Sequence, residues 1–280
     1  MSQELLNKFK NELNIMGYSQ RTIDTYMIYL NMFNDFVKKD LNEINNDFYK
    51  RVEYDFDASR KYPWNGWSKI LGYIKPTLNK KLRVLDIGCG NGRFAKYLIE
   101  NLGDEIIYTG IDNNKSLLNI TKKELESYEI EYKLHNIDIV SEIINDKLVI
   151  DNKYDLVVAF GILHHIPSYN LRKTFIKQLI ERSIDKGIIV ITNWQFTFQD
   201  KCKERIVEPT TLGINEYELE LNDYLLKWKR GKEAIRYCHY VSEEEIDEIL
   251  SKTDNTTLID KYYSDGKTEN LNLYSIIQKK

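Results

Sequence analysis

One short stretch constrains this chain more than any other: Val84-Leu85-Asp86-Ile87 runs directly into Gly88-Cys89-Gly90-Asn91-Gly92. The first four residues read as a buried strand, and the residues from Phe94 onward have helical spacing. Between them, alternating glycines make a turn whose backbone a ligand can approach closely. A strand, a glycine turn and a helix in that order belong to nucleotide-binding α/β folds. The spacing is Gly-x-Gly-x-Gly rather than the Gly-x-Gly-x-x-Gly of dinucleotide sites, and the turn lacks the Gly-Lys-Ser/Thr of a phosphate loop. The turn therefore matches neither the dinucleotide pattern nor the phosphate-loop pattern.

The chain on either side supports an α/β architecture. Strand-like Leu82 to Ile87, Ile106 to Ile111, Glu131 to His135, Tyr154 to Phe160 and Gly187 to Thr192 alternate with helical Phe94 to Asn101, Lys115 to Glu126 and Leu171 to Ser183. Such alternation implies a parallel sheet with helices on both faces. Asn193 to Tyr240 breaks the rhythm and reads as an insertion. Ser242-Glu243-Glu244-Glu245 is a capping box opening a helix to about Leu250, and Thr257 to Tyr263 and Leu271 to Ile277 then complete a seven-stranded, mostly parallel, Rossmann-like sheet. Before the sheet, Leu5, Phe9, Leu13 and Met16, then Ile23, Tyr26, Met27, Leu30, Phe33 and Val37, mark two helices joined at Gly17-Tyr18-Ser19. A helical hairpin over 1–45 is expected, with polar Asn42 to Asp47 as a linker and the main domain over 46–280, insertion 193–240 included.

Composition narrows the setting. No apolar run approaches the roughly 20 residues of a membrane span, and the N-terminus has no apolar signal core, so a cytoplasmic protein without membrane contact is expected. Cys89, Cys202 and Cys238 are too few and too scattered for a disulfide framework or a zinc quartet, so no metal is expected. The net charge of −3 removes any general attraction to nucleic acid and leaves only a local basic patch as a route to it.

The glycine turn resembles motif I of class I S-adenosylmethionine-dependent methyltransferases. Asp112 ends the next strand, where a carboxylate can accept both ribose hydroxyls, and Asn136-Ile137-Asp138 follows the third strand, where that family contacts adenine. The resemblance implies S-adenosyl-L-methionine as cofactor, held by Asp86, Gly88, Gly90, Asn91, Gly92, Asp112, Asn113, Asp138 and Phe160. The fourth strand leads into Phe160-Gly161-Ile162-Leu163-His164-His165-Ile166-Pro167, beside the expected position of the reactive methyl. His164 and His165 are candidate catalytic residues there, with a purely loop-anchoring role equally open.

The nucleophile decides which residues methyl transfer requires. Covalent attack on a pyrimidine needs a reactive cysteine near the methyl, but Cys89 sits in the cofactor loop and the others lack a Pro-Cys setting. Amine methylation in nucleic acids usually shows an Asn/Asp-Pro-Pro-aromatic tetrad where this chain has Phe160-Gly161-Ile162-Leu163. From Leu156 to Ile180 there is no Asp or Glu, so that strand supplies no carboxylate base. A carboxylate acceptor, ionised above a pKa of roughly 4, needs none.

Three further segments sharpen the resemblance: Ser59-Arg60-Lys61-Tyr62-Pro63-Trp64-Asn65-Gly66-Trp67, Thr192-Asn193-Trp194-Gln195-Phe196, and Asp223 to Gly231 followed by Arg236-Tyr237-Cys238-His239-Tyr240. With His164-His165 they are similar to the tRNA wobble-uridine carboxymethyl methyltransferases over residues 48–280, which implies a tRNA carboxylate as acceptor. A small-molecule carboxylate or hydroxyl is the alternative, favoured if Asn222 to Tyr240 closes over the pocket. Arg60 can clamp a carboxylate in a two-pronged contact, either the cofactor's or the acceptor's. Trp64 and Trp67 either wall the site or pin this segment to the sheet. Asn222 to Tyr240 carries Lys227, Lys229, Arg230, Lys232 and Arg236 against Asp223 and Glu233, interleaved with aromatics. That composition suits either an RNA grip or a packed insertion, and makes Trp64, Lys229, Arg236 and His239 candidate substrate residues. The eukaryotic relatives work with a small zinc-binding activator subunit, so the resemblance admits such a partner.

Residues 1–40 resemble the opening helices of a tyrosine recombinase core-binding domain, through Gly17-Tyr18-Ser19-Gln20-Arg21-Thr22 and Phe33-Asn34-Asp35-Phe36. Residues 1–45 hold five basic and six acidic side chains, so DNA binding is not expected and a relic or packing hairpin is.

Overall fold

A computed structural model describes residues 3–74, 80–145, 152–229 and 231–280, leaving Arg230 of the basic segment outside the described residues. It opens with α1 (Gln3–Ile15) and α2 (Gln20–Ala58). Gly17, at φ +77°, lets the chain turn, and the Ser19 hydroxyl accepts the Thr22 amide as N-cap. The expected linker at Asn42 to Asp47 does not exist. Neither glycine nor proline occurs between Gln20 and Ala58, so nothing stops the helix, and α2 runs through the expected boundary at residue 45 as one 39-residue rod of about 58 Å. Leu41, Asn42, Asn45, Phe48 and Val52 recur at helical spacing and are all buried, so the polar run is the buried face of a helix.

A short α3 (Trp67–Ile70) precedes β1 (Leu82–Ile87) and α4 (Arg93–Leu102). There follow β2 (Ile106–Asp112), α5 (Lys115–Leu125), β3 (Glu131–Asn136), α6 (Ile139–Ile144), β4 (Tyr154–Phe160), α7 (Tyr169–Arg182) and β5 (Ser183–Trp194). The insertion is a folded unit: α8 (Asp200–Lys203), then the antiparallel strands β6 (Ile206–Val207), β7 (Asp223–Lys227) and β8 (Ile235–His239). The chain closes with α9 (Glu243–Ser251), capped as expected by Ser242, and with β9 (Thr256–Ser264) and β10 (Asn272–Lys279).

The main sheet has seven strands in the order β3-β2-β1-β4-β5-β10-β9. Strands β1 to β5 are parallel, while β10 runs antiparallel to both β5 and β9. This is the expected Rossmann-like α/β fold with helices on both faces. One buried layer joins Leu85, Ile87, Val157 and Ile189 to Phe175, Leu179 and Ile249, and the other joins Val84, Tyr108 and Val158 to Trp67, Phe94 and Leu98. Strand order reverses between β1 and β4, and the crevice at their carboxyl ends is where ligands bind in such sheets.

Candidate active site

Two adjoining cavities fill that crevice, of about 240 and 120 Å³, and share Tyr49, Phe56, Gly88, Gly90, Phe160 and Gly161 along their common wall. The smaller lies over the ends of β1, β2 and α6. In it Asp112 accepts the Gly90 amide through Oδ2 and the Asn114 amide through Oδ1, both at 2.8 Å. Burial raises the Asp112 carboxyl pKa, and those amide bonds partly offset the rise. Gly90, at φ +56°, has open space where a Cβ would stand, so its backbone faces the cavity bare. Asp138 caps α6 through the Val140 and Ser141 amides, and its other oxygen accepts Asn42 and Asn46 of α2 at 2.9 and 2.8 Å. Asn113 donates to Asn46. Helix α2 thus roofs this cavity.

The larger cavity extends toward the insertion. Arg60, Arg93, Arg205 and Arg236 all line it, and Asp86 is the only acid among its lining residues. Asp86 accepts the Tyr108 hydroxyl at 2.7 Å beneath the glycine turn, and burial pushes its pKa up to about 7. Burial and the neighbouring Arg60 lower Arg93 to about 10, and its guanidinium lies 5.3 Å from the Trp64 ring. Arg236, 7% exposed, lies over Trp194 at 4.5 Å and Phe48 at 5.2 Å. Beside it, His164 Nδ1, Arg205 Nε and Trp228 Nε1 are buried without a hydrogen-bond partner.

His165 contributes differently. Its Nδ1 lies 3.2 Å from the Tyr237 carbonyl and its Nε2 2.7 Å from the Tyr49 hydroxyl. The tautomer that satisfies both donates from Nδ1 and accepts at Nε2. Burial, with Arg236 nearby, pushes its pKa down to about 3, and burial with His165 and Arg236 lowers His164 well below the usual range. Both rings are neutral at neutral pH. Cys89 and Cys238 are buried, with Cys238 pushed up to about 12 by burial, so neither offers a thiolate.

Most sequence candidates meet here. Arg60, Trp64, Asp86, Asn91, His164 and Arg236 line the larger cavity, Asp112, Asn113, Asp138 and His165 the smaller, and Gly88, Gly90 and Phe160 both. Asn91 also ties the turn to α2 by donating to Asp57 Oδ1 and the Arg60 carbonyl. Three candidates do not line either cavity. Gly92, at φ +76°, starts α4 where a Cβ would stand 2.7 Å from Thr121, so its role is packing. His239 is buried between Asp223 Oδ1 at 2.6 Å and Glu245 Oε2 at 2.8 Å, in a cluster completed by Arg172 on Glu220 and Glu245. It braces the insertion against α7 and α9, because every ring nitrogen is already engaged. Lys229 is exposed, its charge drawn to water beyond Trp228. Trp67 packs in the core as well as lining the cavity, and a Gly66 Cβ would stand 2.5 Å from Tyr274, so this segment is pinned to β10. Sequence reasoning missed Asn42, Asn46, Tyr49 and Phe56; their helical spacing was the available signal.

The comparisons with known proteins agree with this geometry. A family profile described as a methyltransferase domain matches residues 78–254. The chain belongs to this family. It is 27% identical over 187 residues to a ubiquinone biosynthesis O-methyltransferase of Rickettsia prowazekii, covering 66% of this chain and 63% of that protein. An uncharacterized protein of Methanocaldococcus jannaschii is 28% identical over 182 residues, 64% of this chain and 40% of that protein. The fold matches an S-adenosylmethionine-dependent methyltransferase structure from Clostridium acetobutylicum with a TM-score of 0.56 and 14% identity, over 84% of this chain and 98% of the other. No helix of the described residues is long and apolar enough to cross a membrane. The cofactor of this methyltransferase is S-adenosylmethionine, and the residues present fit it: the bare backbone at Gly90 leaves room beside the Asp112 carboxylate, and Arg60 and Arg93 stand near the turn for a carboxylate tail.

Proposed function

We propose that this methyltransferase esterifies a carboxylate. The observation that carries the reading is the larger cavity: four arginines against one acid, with two buried donors, Arg205 Nε and Trp228 Nε1, and a His164 ring nitrogen left unpartnered. Buried donors without partners are costly, and an anionic acceptor would satisfy them. S-adenosylmethionine supplies a methyl group on a sulfonium, open to displacement by an oxygen nucleophile. Arg60, next to the glycine turn and carrying its guanidinium 4.8 Å from the Phe56 ring, holds the cofactor's carboxylate in this reading. Arg236 and Arg205 hold the acceptor's. Tyr49, fixed by His165, and Trp194 and Trp228 exclude water and orient the acceptor oxygen. Neutral His164 donates or accepts a hydrogen bond without acting as a strong base.

The Asn222 to Tyr240 segment closes over the pocket through Trp228 and Arg236, which favours a small carboxylic acid as acceptor. A carboxymethyl group on the wobble uridine of tRNA is the second reading, favoured by exposed Lys229 and Lys232 beside Trp228. Incubation with methyl-labelled S-adenosylmethionine and either a panel of small carboxylic acids or total tRNA tests both. Label that is released as methanol by mild alkali supports esterification, and the fraction carrying it tells the acceptors apart. Alkali-stable label in every product would refute it.

A further inference from the structure

The hairpin of α1 and α2 has a face that the other described residues leave uncovered. Among its described residues only Leu6, Leu13 and Ile23 are buried apolar side chains below Val37, while Ile15, Met16, Tyr18, Tyr26, Ile28, Tyr29, Met32 and Phe33 are 40 to 85% exposed. At 100° per residue, Tyr26, Ile28, Tyr29, Met32 and Phe33 fall on one side of α2, within an arc of about 160°. The Tyr18 and Tyr26 rings, 6.1 Å apart, carry the patch across to the hairpin tip. Taking about 200 Å² for a large side chain, the five on that side leave roughly 500 Å² exposed and the three at the hairpin tip roughly 400 Å². A typical monomer's largest patch is about 300 to 600 Å².

We propose that a second copy of this chain covers this face, so that two hairpins pair as a four-helix bundle in a homodimer. Area and charge both support that occupant. A stable interface buries about 800 Å² per partner, which that side and the tip supply together. Between Thr22 and Phe33 the only charge on α2 is exposed Asp24, at the margin of this side, and antiparallel pairing about Ile28 sets it against Met32 of the partner subunit and not against a like charge. Charges of opposite sign bracket it: exposed Arg21 before the patch and exposed Asp35 after it. A two-fold axis demands that each contact occur twice. Antiparallel pairing about Ile28 meets that demand, placing Arg21 against Asp35 of the partner subunit and the reciprocal pair at the other end. A near-neutral segment of five basic and six acidic side chains gives a phosphate backbone little to hold. Because α2 is unbroken, the helix that pairs at Tyr29 also places Asn42, Asn46 and Tyr49 in the active site.

Sedimentation equilibrium of the full chain from about 1 to about 100 μM, the weak end of affinities for interfaces of this size, tests the proposal. A mass twice 33.3 kDa is expected. The double variant Tyr29→Glu with Met32→Glu changes only exposed positions. Its dimer dissociation constant should rise by a factor of about 100, with far-ultraviolet circular dichroism and S-adenosylhomocysteine binding retained. A parent that stays monomeric at the top concentration overturns the proposal, including the case in which a different protein covers the face. So does a folded variant that dimerises as tightly as the parent. Should the double variant unfold, Ile28→Lys at the two-fold axis serves the same purpose with one change.

Discussion

Replacing Asp112 with asparagine probes the cofactor site most directly, because the substitution keeps shape and removes charge. Asp112 stands at the end of β2 with both oxygens anchored, one on the Gly90 amide and one on the Asn114 amide, each at 2.8 Å. The remaining lone pairs face the smaller cavity, where the ribose hydroxyls of S-adenosylmethionine would lie. A hydrogen bond to a charged group is worth about 1.5 to 3 kcal/mol. In Asp112→Asn one oxygen becomes an amide nitrogen that meets a backbone N–H donor to donor, so the glycine turn also loses an anchor. Together the losses come to about 2 to 3 kcal/mol, or a 30- to 150-fold rise in the dissociation constant at about 1.4 kcal/mol per factor of ten. Calorimetric titration with S-adenosylhomocysteine measures this, with circular dichroism to verify folding. The pH dependence gives a second criterion. Burial holds the Asp112 pKa above the ordinary 3.8, so parent affinity should fall on acidification sooner than for an exposed aspartate, and this acid limb should vanish in the variant. Affinity within about threefold of the parent, with the acid limb intact, would refute the assignment of Asp112 to ribose.

Arg236→Lys keeps the charge but loses the planar stack over Trp194, so the Michaelis constant for the acceptor should rise about tenfold or more while S-adenosylhomocysteine affinity stays unchanged; a fall in cofactor affinity instead would place Arg236 at the methionine tail. Removing residues 1–40 preserves Asn42 through Ala58 and should leave cofactor affinity within about threefold, whereas a cut to residue 56 removes the Asn42 and Asn46 contacts to Asp138 and the Tyr49 wall and should abolish binding in calorimetry. His239→Asn should destabilise the fold by about 3 kcal/mol or more by leaving Asp223 and Glu245 without their shared partner, read from urea denaturation. Burial opposes the charge on His239, but its bonds to Asp223 and Glu245 raise its pKa above 6.5, so its contribution is complete below 6.5 and lost as pH rises through the folded value. Burial would raise Glu245, yet bonds from His239 and Arg172 lower it below 4.5, so its contribution is complete above 4.5 and lost as pH falls through its folded value. The cluster therefore stabilises most between pH 4.5 and 6.5, a window that a flat melting temperature across pH 4 to 8 would disprove.

What could be read from the sequence divides according to the range of the interactions involved. Strand β1 came out at Leu82 to Ile87 and β4 at Tyr154 to Phe160, as expected, because each is a short apolar run bounded by a turn and its burial is decided within a few residues. The glycine turn, Asp112 and Asp138 were legible for the same reason: each sits where a strand ends, and the parallel sheet brings those ends together. The roof of the site was not legible. Asn42, Asn45 and Asn46 looked like a linker because they are polar, yet a helix running past a ligand crevice needs amides there, and Asp138 and the Tyr237 amide supply their partners from 92 to 192 residues away. Composition cannot distinguish an amide facing water from one facing a half-buried carboxylate such as Asp138. The lack of any glycine or proline from Gln20 to Ala58 could have done so, since a linker without a helix breaker has no physical reason to end the helix that enters it. His239 failed by the same logic in reverse. Beside Arg236 in sequence it looked like a second substrate contact, but successive residues of β8 point to opposite faces, so once Arg236 faces Trp194, Tyr237 turns away to Asp223, and the contacts of His239 are set by Asp223 and Glu245. The basic residues of Asn222 to Tyr240 are likewise divided by the strand and not by composition: Arg236 is buried and turns inward to line the larger cavity, while Lys229 is exposed to solvent.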